Sequence, residues 1–455
     1  MTKFENNLYE GSVLKRLVLF SLPFLASNII QSLYNVADML IVGNFSGTNS
    51  LSGVNIGGQV TFILTQIVLG FCIGGSVLIA QYIGAQNKRA VEKVTSTLIT
   101  SLLILSAIIT VLMVVLRTPV LRLVKTPQES FSEANAYLFI TVLGIIFIFA
   151  YNALSAILRG MGDSKRPLYF IAVACVTNVV LDLLLVAKFN MGAAGAAIAT
   201  VISQAISVIL CIVYLKKNDF IFDFKPSSFR IDRESLRLIT KLGLPTAVQN
   251  GVTSLSFMFI TVLVNMVGGV NASAAVGVVS RFNGFAVMPA VAMASSVSTM
   301  AAQNIGAGQI DRAKKTCRIG VIVSVFFSYA IFALVQAFPE PILMLFDRNP
   351  EMIANGVEYI RVMSLDYLVI PYIFCINSLF VGAGHTTFSL ISNMLSSLLL
   401  RVPAAAIFGI TLGGGLAGIA FGAPVASVGS LVLVLWFYFS GKWKKVVIHH
   451  QPQEE

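Results

Sequence analysis

A chain of 455 residues that is 56% hydrophobic and only 11% charged is not an ordinary soluble protein, since soluble domains carry about 25% charged residues. Its mean hydropathy of +0.86 resides in apolar stretches of about 20 residues or more, which is helix length for a bilayer and far beyond the ~10-residue strands of a membrane barrel. A net charge of +11 would suit nucleic acid, but the placement of the basic residues excludes that partner.

Taken in chain order, the hydropathy predicts an all-α integral membrane protein with twelve spans, at about 15–43, 51–81, 93–117, 131–158, 167–187, 193–215, 236–267, 274–302, 316–338, 354–380, 386–409 and 413–440. The polar start MTKFENNLYEGS is followed by an apolar run long enough to span and lacking a cleavage site, so no removable signal peptide is expected. The first span carries Asn28, Gln31, Asn35 and Asp38 at spacings of 3, 4 and 3. At 100° per residue these fall within an arc of about 80°, a face that must look away from lipid. Asp38 has no Lys or Arg nearer than Lys15 and Arg16. A carboxylate at a helix centre costs at least ~2.5–3.5 kcal/mol, so it marks function by default.

The second span holds the glycine-rich GFCIGGSV at 70–77, which reads as close helix packing. In the fifth, Asn178 and Asp182 lie one turn apart; in the sixth, Thr200, Gln204 and Ser207 share a face. The charged segment 216–241 is expected to be an amphipathic cytoplasmic linker. The seventh and eighth spans contain no acid, and Pro289 sits where the eighth can kink. Asp366 follows Arg361 by five residues, which suggests a structural ion pair near the membrane surface; Arg281 and Arg401 also fall inside spans, as alternative partners for Asp366 or as limits on the number of cations the cavity accepts. Tyr34, Tyr137, Tyr151, Met258 and Met288 are candidates for a soft, adaptable cavity lining, with Gln31, Asn35, Gln204 and Asp366 as its polar members. Cys72, Cys175, Cys211, Cys317 and Cys375 show no paired spacing, and His385, His449 and His450 form no metal constellation.

With the N-terminus inside, 23 of the 31 Lys and Arg fall in cytoplasmic loops and tails and 5 on the other side. That bias is the positive-inside rule, with both termini cytoplasmic. The basic balance thus records topology in a cytoplasmic membrane.

The chain also repeats itself. Leu22-Pro23 recurs as Leu244-Pro245, Asn28 as Asn250, Gln81 as Gln303, Tyr137 as Tyr359 and Gly162 as Gly384, all at an offset of 222. After one inserted residue Gly192 and Gly195 match Gly415 and Gly418 at 223. Each copy holds six spans, so both enter the membrane the same way. The expected organisation is an N-terminal six-helix lobe at 1–215, a linker at 216–235, a C-terminal lobe at 236–440 and a tail at 441–455, the two pseudo-symmetric lobes enclosing a central cavity. The repeat is not chemically symmetric: the position opposite Asp38 is Ile260.

The 6+6 spans, the early Leu-Pro in the first and seventh, QSLYNVADMLIVGNFSG, LIAQYIGAQN and LRGMGDSKRP together resemble the multidrug and toxic compound extrusion (MATE) family, over essentially the whole chain. The resemblance implies a bacterial transporter with cation-coupling residues at Asp38, Asn178, Asp182 and Thr200, the set that spacing also selects. It lies closer to the DinF-like branch than to the NorM-like branch, whose carboxylates sit in the C-terminal lobe.

The expected activity is multidrug efflux by secondary antiport, with an organic, often cationic compound leaving while H+ or Na+ enters by alternating access. Two carboxylates without a cationic partner suit a shared proton, and with amide and hydroxyl oxygens they suit Na+ equally, a hard cation that takes oxygen donors. No cofactor is expected beyond the coupling ion. The expected partners are small organic substrates and the bilayer, with no nucleic acid, and the chain is expected to act as a monomer. A lipid-linked oligosaccharide flippase is the alternative, although such a carrier would have a more cationic cavity. An integral membrane enzyme is the third reading, but no cluster of His, Glu or Ser/Lys stands at one membrane face. The lack of a GxxxxGK[ST] loop argues against ATP-driven transport by this chain alone.

Overall fold

The computed structural model describes residues 6–445 apart from 219, 347 and the side chain of 270, and among the described residues it contains helices and no strand. In a hydrocarbon solvent every backbone N–H and C=O must be satisfied within the chain, and helices achieve this locally. Eleven stretches are long and apolar enough to cross a membrane when each sharply bent helix pair counts once. The first of these, Val13–Gly84, is 72 residues long, about 110 Å at 1.5 Å per residue and over three times the ~30 Å hydrocarbon thickness. It breaks at Gly47, with φ 77° and ψ −179°, a backbone region open essentially to glycine alone. Two spans therefore lie within it, which makes twelve among the described residues.

We number them α1 (13–46), α2 (48–84), α3 (Lys88–Leu123), α4 (Gln128–Leu143 and Ile145–Gly160), α5 (Lys165–Lys188), α6 (Gly192–Lys217), α7 (Arg233–Gly269), α8 (Asn271–Ala286 and Met288–Gly306), α9 (Ile310–Ala337), α10 (Pro350–Leu368 and Ile370–Gly382), α11 (Thr386–Thr411) and α12 (Gly415–Phe439). Each of the twelve expected spans overlaps one of these. Three are bent within the span: α4 by 51° at Gly144, α8 by 41° at Val287 and α10 by 45° at Val369. Pro289 and Pro371 open the second halves of α8 and α10, where a missing N–H costs nothing.

The internal repeat reappears in the backbone. Gly269 breaks α7 from α8 with φ 65° and ψ −155°, 222 residues after Gly47. The sharp bends of α4 and α10 also fall within three residues of each other in the repeat. The fifth span ends in a π-helical stretch, Leu183–Lys188, and the eleventh in Ile407–Thr411. The eleventh has a second π stretch, Leu395–Arg401, where the fifth is regular α-helix up to Asp182. A π turn absorbs one extra residue in a helix, so this stretch accounts for the shift of the offset from 222 to 223.

The helices form two compact units: Met1–Asn7 with Leu22–Ala247, and Leu8–Ser21 with Val248–Glu455. Chain membership therefore changes beside Pro23 in α1 and beside Pro245 in α7. In the second unit Leu17 is fully buried among Val297, Met300, Ala301 and Leu379. In the first, α2 meets the start of α7 without room for side chains, since a Cβ on Gly70 would lie 2.7 Å from Gly243 O. The GFCIGGSV segment is thus a packing face. The linker docks on α3: Ser96 Oγ donates to Ser228 O at 2.6 Å, Thr97 Oγ1 accepts from Asp232 N at 3.0 Å, and Asp232 then caps α7 by accepting from Ser235 N at 2.9 Å.

Candidate functional site

Four helices of the first unit bring the candidate residues together. Asp38 of α1 is 7% exposed, and Asn178 and Asp182 of α5 are both fully buried. Thr200 of α6 is 9% exposed. Asp182 is the last α-helical residue before the π stretch of α5, a junction that turns its side chain relative to the turns that follow. Tyr34, one turn before Asp38 and on the same face, places its hydroxyl 3.3 Å from Thr200 Oγ1. Tyr137 of α4 lies against the same group, buried in an apolar cluster with Ile41, Val42, Val186 and Ala197.

The Asn178 amide decides how α5 and α6 are joined. With its nitrogen toward Thr200 Oγ1 it makes a single contact of 3.4 Å. Turned over, its nitrogen donates to Asp182 Oδ2 at 2.9 Å and its oxygen accepts from Thr200 N at 3.2 Å. The second orientation satisfies both ends of the amide and is the one the surrounding donors and acceptors select.

The carboxyl groups of Asp38 and Asp182 are within hydrogen-bonding reach of each other. A carboxylate has no donor of its own, so the contact requires a proton or a cation between them. Two bare charges about 4 Å apart would repel by roughly 4 kcal/mol at an effective dielectric of ~20. Asp38 Oδ1 and Asp182 Oδ1 are both buried and without a hydrogen-bond partner. Among the described residues neither acid has an ion-pair partner, and no group of three or more His, Cys, Asp or Glu is gathered anywhere. Two acids with amide and hydroxyl oxygens make a donor set fit for a proton or a small monovalent cation rather than a transition metal.

The remaining candidates are not part of this cluster. Gln31 and Asn35 are exposed and Asn28 is half-buried, so the α1 stripe is covered only at its Asp38 end. Along one face the neighbour changes: beside Asp38 lie Tyr137 and Asp182. Beside Gln31 lies a small cleft lined by Gln31, Tyr34, Cys175, Ser203 and Gln204. Gln204 Oε1 is buried there without a partner. Tyr151 donates to Pro167 O at 3.2 Å. Met258 is 56% exposed and Met288 half-buried, both in the second unit. Asp366 pairs with Arg401, at 3.9 Å, and not with Arg361, whose exposed side chain lies on another turn of α10.

One functional side chain escaped sequence reasoning. Glu133, at the start of α4, accepts from Ala193 N at 2.9 Å and from Ser50 Oγ at 3.1 Å. It pins the first turn of α6, the helix that carries Thr200, where an anion complements the helix dipole. Glu358 does the same for α12, accepting from Ala417 N at 3.2 Å. The available signal was that Glu133 and Glu358 each lie in the early turns of a span two spans before a glycine-led helix, at Gly192 and Gly415.

A helical membrane protein built from two copies of a six-span unit, with a buried acid pair in one copy, belongs among the carriers. The MatE family model matches this chain twice, over residues 23–184 and 245–407, each match starting at one of the repeated prolines and together covering well over half of the sequence. The chain belongs to the MATE family, and it is a membrane transporter rather than an enzyme. It is 32% identical over 439 residues to the probable multidrug resistance protein YpnP of Bacillus subtilis, covering 96% of this chain and 97% of that one. It is 30% identical to the probable multidrug resistance protein YoeA of the same organism, covering 95% of each. Among solved structures, an outward-facing multidrug resistance MATE transporter of the MOP superfamily superposes with a TM-score of 0.90 at 25% identity, covering 96% of this chain and 98% of that one.

Proposed function

We propose that the chain is a secondary active exporter that moves organic, often cationic compounds out of the cell in exchange for H+ or Na+, coupled at Asp38 and Asp182. The names of its relatives support the substrate class, and the excess of basic residues in alternate loops supports a cytoplasmic location for both termini. The observation that carries the coupling is the pair of neighbouring, buried carboxyls, each with an oxygen that lacks a partner.

In this account a cation entering the pair removes the repulsion between α1 and α5 and draws Asp38 onto Asp182. Asn178 holds Asp182 and the backbone of α6 in register, and Tyr34 links α1 to Thr200. Binding therefore favours the state in which α1 is packed on α5 and α6, and cation loss favours the state in which it is released. Differential affinity for two states is sufficient to couple the cation to substrate release. Reconstitution in vesicles tests this reading. Under an inward H+ or Na+ gradient the protein should drive uphill efflux of a fluorescent lipophilic cation, and correctly inserted Asp38→Asn should not. Uphill efflux by Asp38→Asn at the normal rate rejects the coupling role. Movement of a lipid-linked sugar with no organic cation moved would instead establish a flippase.

A further inference from the structure

The second unit holds a charged group at the same place in the repeat, and it is assembled differently. The extra residue in the Leu395–Arg401 π stretch sets the register: residues before it match at 222 and those at and beyond its end match at 223. Arg401 then stands opposite Asn178, Ser427 opposite Gln204, and Ala405 opposite Asp182. At the earlier offset Ile260 stands opposite Asp38, Tyr359 opposite Tyr137, and Asp366 opposite the bend residue Gly144. Both acids of the first unit are thus replaced by apolar residues, and one acid appears on a different helix.

Asp366 is 3% exposed and lies in the tight 3-10 stretch Ser364–Leu368 just before the bend of α10. Ser427 of α12 stands beside it, and it faces Arg401 Nη2 at 3.9 Å. The guanidinium also lies over the ring of Phe257 of α7, 5.2 Å from its centroid. One helix from each matching position therefore contributes. A structural Arg–carboxylate pair normally closes as a fork of two bonds at 2.7–2.9 Å, by general geometry. This pair makes one long contact, and both Asp366 Oδ1 and Arg401 Nε are buried without partners. The acid keeps a free oxygen, as Asp38 and Asp182 do.

We propose that the Asp366–Arg401 pair is the second unit's counterpart of the Asp38–Asp182 site with its cation built in. Arg401 is tethered where the first unit accepts a mobile ion, so the second unit binds no transported cation and the chain couples through one site. The inference rests on the coupling role proposed for Asp38. It also predicts a latent site: removal of the guanidinium exposes Asp366 to a free monovalent cation.

The test is the thermal unfolding of purified protein titrated with NaCl, LiCl or methylguanidinium chloride against choline chloride at constant ionic strength, in an Asp38→Asn background that silences the first site. Asp38→Asn alone, and Asp38→Asn with Arg401→Lys, should show no cation-specific shift. Asp38→Asn with Arg401→Gln should show a saturable rise in melting temperature, and adding Asp366→Asn should abolish it. Arg401→Met, closer to arginine in apolar volume, replaces Arg401→Gln if the glutamine variant is not recovered folded. Absence of the rise in a folded Arg401→Gln or Arg401→Met protein overturns the proposal. So does a cation response in Asp38→Asn that Asp366→Asn removes while Arg401 is intact. The comparison of wild type with Asp38→Asn reports on the first-unit site separately.

Discussion

Asn178 gives the sharpest prediction because it touches both partners and carries no charge itself. Its amide donates to Asp182 Oδ2 at 2.9 Å and accepts from Thr200 N at 3.2 Å, in a site where its own exposure is nil. A hydrogen bond to a charged group contributes roughly 1.5–3 kcal/mol, and loss of a group that orients an ion's ligand costs about 10–100-fold in affinity. Asn178→Ala should therefore weaken cation binding about 10–100-fold while Asp38 and Asp182 remain in place. Alanine also leaves a void, so Asn178→Leu serves as the filled control: it removes the amide without the cavity and should lose affinity to a similar extent. The assay is cation-dependent thermal unfolding of the purified protein, fitted for an apparent dissociation constant at fixed ionic strength. Wild-type affinity in both variants would refute the claim that Asn178 positions Asp182, leaving it a helix-packing amide.

Other positions test the fold that holds the site. Glu133→Gln should loosen the start of α6, because two acceptor contacts, to Ala193 N and Ser50 Oγ, lose their charge; amide exchange near residue 193 should quicken, and Glu358→Gln should act likewise near residue 417. Gly70→Val should destabilise by about 1–3 kcal/mol through overpacking, since its Cβ would meet the backbone of Gly243 and Ala247; unchanged thermal stability would show that the α2–α7 approach is looser than it stands. Asp232, outside the membrane, is pushed up by partial burial, but the Ser235 backbone and hydroxyl and Lys93 outweigh this and hold its carboxyl below the ordinary range. A depressed value adds stability above the ordinary carboxylate pKa of ~3.9 and loses it as pH falls through the lower one. Linker protection from hydrogen exchange, expressed as the ratio of wild type to Asp232→Asn, should accordingly collapse towards one below about pH 4.

Much of the architecture was legible because a bilayer leaves little freedom. Helices must be long and apolar, so the twelve spans and the positive-inside bias could be read directly, and the doubled family match at 23–184 and 245–407 confirms the repeat found from Leu-Pro, Gln and Gly positions. The bends of α4 and α10 were not legible. Gly144 and Val369 sit in apolar runs where hydropathy carries no signal of direction, and Pro371 announces only that a helix can restart there. The acid pair was half legible. The 3-4-3 spacing gave Asp38 a face, and one-turn spacing gave Asp182 its neighbour Asn178, but nothing local says how far that face is covered. Gln31 and Asn35 share it and are exposed. The pairing of Asp366 was half legible for a related reason: Arg361 is near in sequence, and the actual partner Arg401 stood only as one of two distant alternatives, because sequence distance says nothing about which helices meet.

The claim at the centre of the account is that a cation occupying the Asp38–Asp182 pair moves opposite to the substrate. Vesicles loaded with a lipophilic cation, without any imposed ion gradient, test it most directly when internal pH and internal Na+ are followed as substrate runs out. Wild-type protein should draw H+ or Na+ inward in step with substrate exit, and Asp38→Asn and Asp182→Asn should each allow substrate to leave down its gradient with no cation entering. Cation entry that persists in both variants would contradict the account.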